Sequence, residues 1–120
     1  MKIVRVILSV EAQEAYKLLS LRASNSKIDS SILRSINSKK DAIKSNPHYG
    51  EPIAKNLIPK NYYEDYNITN LFWVRLSNHW RMLYTLTNGS EIEIIAFILC
   101  IKSHPDYDKL FGYKKDRVKK

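Results

Sequence analysis

The sequence predicts an α+β fold in the order β-α-α-β-β-β, with a helical hairpin packed on one face of a twisted, mainly antiparallel sheet. Three observations predict it. Residues 71–101 hold three runs rich in β-branched and aromatic residues, separated by short polar turns, which is the pattern of an antiparallel meander. Residues 3–8 form another such run that leads directly into a helix start signal. Between them lie two stretches whose apolar residues recur near the helical period. At 120 residues the chain fits one domain, assigned to residues 1–112, followed by a basic tail at 113–120.

The first run, Ile3-Val-Arg-Val-Ile-Leu8, ends at Ser9, a good N-cap, with Glu11 in the first turn where a carboxylate suits the helix dipole. Ala12, Ala15, Leu18, Leu19 and Arg22 then form an apolar stripe with a polar margin. Ser24-Asn-Ser26 breaks that pattern. Ser30 or Ser31 caps a second helix carrying Ile32, Leu33, Ile36 and Ile43, and Lys39, Lys40 and Lys44 occupy its solvated side and last turn. The helix must stop near Ser45-Asn46, because Pro47 restricts the residue before it.

Residues 47–70 are the least regular part, with Gly50, Pro52, Pro59 and the aromatics Tyr49, Tyr62, Tyr63 and Tyr66. Lys55 and Lys60 stand just upstream of the meander. Either these lysines and tyrosines hold a phosphate backbone and stack a base, or the tyrosine-rich segment folds back on the sheet.

Within the meander, a three-residue loop at Ser77-Asn78-His79 sets Leu76 opposite Trp80 and Arg75 opposite Arg81. Asn88-Gly89, at ease with positive φ, suits a primed two-residue hairpin. Alternation puts Arg75 and Arg81 on one face with Leu71, Trp73, Leu83 and Thr85. Phe72, Val74, Leu76, Trp80, Met82 and Tyr84 fall on the other face and meet the helices. Like charges directly opposite each other are unfavourable in a sheet, so the arginines are either neutralised by an acid or reach separately into water. Trp73 beside them is a stacking platform, a docking point or a covered core residue. Residues 94–101 are apolar throughout, which implies a strand covered on both faces.

Twenty Lys+Arg against twelve Asp+Glu give a formal charge of +8, which favours an acidic partner: RNA, DNA, an acidic protein or an anionic membrane surface. The single cysteine, Cys100, excludes an internal disulfide and reads as a buried small hydrophobe rather than a nucleophile. The amino terminus reads as a charged strand rather than a signal peptide, and no apolar run approaches the ~20 residues that span a bilayer. A cytoplasmic location is therefore expected, with no membrane partner. His48, His79 and His104 lack the spacing and company of a metal site, so neither a metal nor any other cofactor is expected. Lys114, Lys115, Arg117, Lys119 and Lys120 make the tail a solvated, non-specifically cationic segment.

Three stretches carry a resemblance. They are Ser9-Val-Glu-Ala-Gln-Glu-Ala15, Asn46-Pro-His-Tyr-Gly-Glu-Pro52, and Trp73-Val-Arg-Leu-Ser-Asn-His-Trp-Arg-Met-Leu-Tyr84, the last followed by an apolar strand and a terminal His104-x-x-Tyr107. In this order and spacing they resemble the RelE/ParE superfamily of bacterial and archaeal toxins. The resemblance implies a RelE-like, microbial-ribonuclease-like domain and a toxin of a type II toxin-antitoxin system. Its implied partners are a cognate antitoxin with an acidic or amphipathic segment and mRNA on the ribosome. The RelE-like branch resembles ribonucleases that cut mRNA by metal-independent attack of the ribose 2′-OH on the adjacent phosphate.

By matching position, Arg81 stabilises the transition state, Arg75 supports it, and His104 or Tyr107 is the acid or base. Lys55, Lys60, Lys102 and Trp73 bind RNA. Two departures stand out: Pro105 follows His104 where many relatives carry arginine, and no carboxylate occupies an obvious base position near Arg81. The ParE-like branch implies instead a DNA gyrase inhibitor that acts by binding, and a homologue without activity would persist as an RNA- or protein-binding module.

Overall fold

Strand β1 (Ile3–Leu8) gives way at Ser9 to helix α1 (Val10–Arg22) in a computed structural model that describes residues 3–90 and 93–112. The buried Ser9 hydroxyl accepts the Ala12 N–H at 3.1 Å and donates to the Leu99 carbonyl at 2.6 Å. One side chain thus caps the helix and fastens its start to the sheet.

Helix α2 (Lys27–Ser45) begins earlier than the sequence suggests. Ser26, not Ser30 or Ser31, is its cap, accepting the Asp29 N–H at 3.1 Å. The break at Ser24-Asn25 is brief, and an apolar period starting at Ile32 does not register the polar first turn. The helix stops at Ser45 as Pro47 requires. Ala12 and Leu19 of α1 and Ile32, Ile36 and Ile43 of α2 are buried against Val74, Leu76, Met82, Tyr84, Ala96 and Ile98. Leu18 departs from its expected place: it lies 50% exposed, outside the stripe.

Residues 47–70 are more ordered than expected. They contain the short strand β2 (Glu51–Pro52), a 3-10 turn at Lys55–Leu57 and helix α3 (Lys60–Tyr66). Strands β3 (Phe72–Arg75), β4 (Arg81–Asn88) and β5 (Glu93–Lys102) complete one sheet in the order β1-β5-β4-β3-β2, and helix α4 (His104–Phe111) ends the described chain. Among the described residues only the β1-β5 pair is parallel. β5 is an interior strand, as its unbroken apolar run predicts. The fold is α+β, with α1 and α2 on one face; α3 and α4 cover the other around Ile58, Tyr62, Leu71, Leu83, Leu99, Cys100 and Tyr107.

The loop Ser77–His79 is as expected, with the Leu76 N–H donating to the Trp80 carbonyl at 2.8 Å. The consecutive left-handed residues are Asn78 (φ 56) and His79 (φ 63). Asn88-Gly89 does not form the expected primed pair: β4 runs through Asn88, which pairs with Ile94, and neither residue has positive φ. The strand pairing continues into the dipeptide as far as Asn88, and the Gly89 N–H donates to the Glu93 carbonyl at 3.2 Å, so the turn propensity of the dipeptide is overridden.

One irregularity sets the functional face. Leu83 pairs with Cys100 but Tyr84 pairs with Ile98, so Leu99 is an extra residue in β5. This bulge leaves Leu99 and Cys100 on the α3-α4 side while Ile98 and Ile101 face the hairpin. It also advances the register by one, so that Lys102 rather than Ile101 stands opposite Arg81. The Leu99 carbonyl at the bulge is the one that accepts the Ser9 hydroxyl. Among the described residues no helix is long and apolar enough to cross a membrane. The tail at 113–120, and residues 91 and 92 ahead of β5, lie outside the described residues.

Candidate nucleic-acid interface

Across β3, β4 and β5 the pairing Arg75–Arg81–Lys102 sets three cations in one cross-strand row. Paired residues share a face, so the row lies on the α3-α4 side, near the ends of the strands. No carboxylate forms an ion pair with Arg75 or Arg81 among the described residues. The acid expected to neutralise them is absent there, and the two arginines solve their opposition differently.

Arg75 is exposed to water. Arg81 is half-buried between two aromatic rings, its guanidinium carbon 4.9 Å from the centre of Trp73 and 5.3 Å from that of Tyr107. Stacking on ring faces offsets part of a cation's desolvation, but it supplies no acceptor in the guanidinium plane. Arg81 Nη1 is buried with no hydrogen-bond partner among the described residues. A buried donor left unmade costs roughly 1–3 kcal/mol, and no acceptor among the described residues offsets that cost here.

Among the described residues Lys102 is the one member of the row with an acid, Glu11 Oε2 at 3.1 Å. Burial pulls the ammonium's pKa down; the Glu11 hydrogen bond and the charges of Glu11 and Asp106 outweigh that and hold it above the usual lysine value. It is therefore a permanent cation. Glu11 comes from the first turn of α1, placed there by the Ser9 cap; its contact with Lys102 connects residues far apart in the chain and was not foreseen from the sequence.

Tyr107 and His104 lie on α4, which starts immediately after the row. Pro105 fits in the first turn of this helix, where a missing N–H leaves nothing unpaired. Tyr107 is buried, with its ring 4.7 Å from Phe111 and packed on Arg81. His104 is half-exposed, its Nε2 3.3 Å from Asp108 Oδ2, and its ring centre lies 6.3 Å from that of His79 in the β3-β4 loop. Sequence reasoning set His79 aside; the only signal for it was its position two residues before Arg81.

Lys55 and Lys60 stand apart from the row. Lys60 is 88% exposed and 3.9 Å from Glu64, and Lys55 is an exposed residue whose carbonyl accepts the Tyr63 hydroxyl. The tyrosine-rich segment does fold back: Tyr62 is buried and donates to Cys100 Sγ at 3.1 Å. Cys100 is buried, and burial pushes its thiol up to about 11, which suits a core residue and not a nucleophile. Beside Arg75 and Trp73, an open cleft of about 400 Å³ is lined also by Lys39, Tyr49 and Glu51.

Chemically, two guanidinium groups and an ammonium in register, with two accessible imidazoles nearby, can bind a phosphodiester and move protons at it. In the comparisons with known proteins, no family model, no curated protein and no solved structure matches this chain.

Proposed function

We propose that this protein is an RNA-cleaving toxin of the RelE-like kind, an endoribonuclease that cuts mRNA on the ribosome and is held in check by an antitoxin with an acidic or amphipathic segment. The observation that carries the reading is Arg81, stacked between Trp73 and Tyr107 with Nη1 buried and unsatisfied, at the centre of a row of cations. Such a row is unfavourable in the free protein and favourable once a phosphate lies across it.

In the reaction the 2′-oxygen attacks the neighbouring phosphorus, and the crowded phosphorane carries more negative charge than the starting diester. Arg81 meets that charge with a preorganised donor, Lys102 adds a cation held by Glu11, and Arg75 positions the strand from the exposed end of the row. Removing one preorganised donor of this kind lowers a rate by about 10²–10³ fold. The acidic antitoxin is the complement of the same +8 chain.

In a translation extract, wild type is expected to truncate mRNA while Arg81→Ala leaves it intact, with Arg81→Lys slower than wild type by more than ~10 fold because an ammonium cannot reproduce the fork. Equal cleavage by wild type and Arg81→Ala removes the proposed site. Inhibition of gyrase supercoiling without RNA cleavage would select the ParE-like alternative instead.

A further inference from the structure

We infer that His79 and His104 act as a couple, one imidazole on each side of the scissile phosphate, and that His79 is a catalytic residue of this site. The inference rests on the endoribonuclease reading and goes beyond it by naming the two groups that carry the protons.

Three observations support it. The rings come from different elements, the β3-β4 loop and the first turn of α4, yet their centres are 6.3 Å apart. That spacing leaves each ring within hydrogen-bond reach of a different oxygen on a single phosphorus, since each such bond needs ~3 Å. Second, His79 holds a left-handed backbone, φ 63, directly after another left-handed residue, Asn78. Histidine is among the few side chains that tolerate this conformation, and the turn sets the exposed His79 ring facing that of His104. Third, the two imidazoles are not equivalent. His104 Nε2 faces the Asp108 carboxylate at 3.3 Å, whereas His79 has no ion pair among the described residues.

A carboxylate only accepts, so Asp108 at 3.3 Å favours a proton on His104 Nε2 and leaves Nδ1 as the basic atom of the couple. The remaining role falls to His79. Nδ1 of His104 takes the proton from the 2′-hydroxyl as the 2′-oxygen bonds to phosphorus. The bond from phosphorus to the 5′-oxygen breaks, and that oxygen takes a proton from the His79 imidazolium. The products are a 2′,3′-cyclic phosphate and a 5′-hydroxyl, and the two rings have exchanged protonation states. The charges set around the couple are Asp108 on α4, Arg81 from β4 and Lys102 from β5, with Glu11 from α1 and Asp106 on α4 balancing Lys102.

The test is the pH dependence of single-turnover cleavage of an mRNA on programmed ribosomes, repeated with an mRNA whose 5′-bridging oxygen at the mapped cut site is replaced by sulfur. A thiolate leaves without protonation, so the second substrate has no use for a general acid. Wild type is expected to give a bell-shaped profile on the oxygen substrate. His79→Asn, which keeps a residue tolerant of the left-handed loop, is expected to lose about 10²–10⁴ fold and the alkaline limb. On the sulfur substrate it returns to within ~10 fold of wild type, whereas His104→Gln, which lacks the base, does not recover. His79→Gly, free of any strain at positive φ, behaves like His79→Asn.

A wild-type pH profile in His79→Asn, or no recovery on the sulfur substrate, overturns the couple. If Arg81→Ala still abolishes cleavage, that failure leaves the endoribonuclease reading standing. If wild type cuts neither substrate, the reading itself has failed, and the couple with it.

Discussion

The two faces of the sheet are built from the same strands but under opposite rules. The face under α1 and α2 is closed and apolar: Ile32, Ile36, Ile43, Met82, Tyr84 and Ile98 are each at most 1% exposed. The buried Tyr84 hydroxyl on this face is fully used, accepting the Gly50 N–H at 2.9 Å and donating to the Pro47 carbonyl at 2.7 Å. The face under α3 and α4 buries polar and charged groups among its apolar ones: the Tyr62-Cys100 pair, Nη1 of Arg81 and part of Lys102. Because strand side chains alternate, one segment such as Trp73-Val-Arg-Leu76 feeds both faces at once. The difference teaches that one sheet can pair a closed apolar face with one that tolerates unfavourable electrostatics, which is where the proposed site lies.

This contrast can be broken most directly by cutting into the hairpin face. Ile36→Ala, at a fully buried position, is expected to cost about 2–5 kcal/mol of stability by denaturant titration, with RNA cleavage by the remaining folded protein unchanged. Loss of cleavage in the folded fraction would mean that the faces are not separable.

The next effect is alkaline. Burial raises the Cys100 thiol from 9.0 to about 11, a shift partly offset by the Tyr62 hydrogen bond. A group whose folded-state pKa is raised contributes stability that is complete below its unfolded pKa and is lost as pH climbs through the folded one. Two units correspond to about 3 kcal/mol, so stability should fall between pH 9 and 11. Tyr62, also raised by burial, adds to the loss from pH 10 upward. In Cys100→Ala, unfolding measured against pH should therefore begin its decline about one unit later, and an unchanged onset contradicts the assignment.

Ser9→Ala removes both the α1 cap and the bond to the bulge carbonyl. A loss of about 1–2 kcal/mol is expected, together with weaker cleavage, since Glu11 and the register that brings Lys102 opposite Arg81 both depend on this corner. The smallest effect is the most telling: Arg81→Ala should leave stability within about 1 kcal/mol of wild type, or raise it, because it removes an unsatisfied buried donor and a like-charge opposition. A large destabilisation would make Arg81 a structural residue.

Much of the fold was legible because strong local signals agreed: Ser9 before an apolar stripe, Pro47 after one, and three runs rich in β-branched and aromatic residues in 71–101. The pairing of Arg75 with Arg81 was also legible, since a three-residue loop fixes it. What escaped reading was non-local. The bulge at Leu99 lies in a run where every residue is apolar, so alternation gives no sign of a phase change. Helix α3 carries four tyrosine or asparagine residues within Lys60–Tyr66, a composition with little helical preference, and it forms because Tyr62 is buried against Cys100. The partners of Arg81 could not be inferred either: an arginine inside a strand suggests a carboxylate, and two aromatic rings from different elements took its place.

The claim on which the account turns is that the cationic row at Arg75, Arg81 and Lys102 receives RNA phosphates. It is tested by the salt dependence of binding to an mRNA made uncleavable by a 2′-deoxy substitution at the cut site. For single strands the slope of log K against log salt is about −0.7 per phosphate contact. Replacing all three cations with alanine should flatten the slope by about 2, and Arg81→Ala alone by about 0.7. Slopes that match wild type in all these variants would show that RNA is held elsewhere, and the row would then have no part in function.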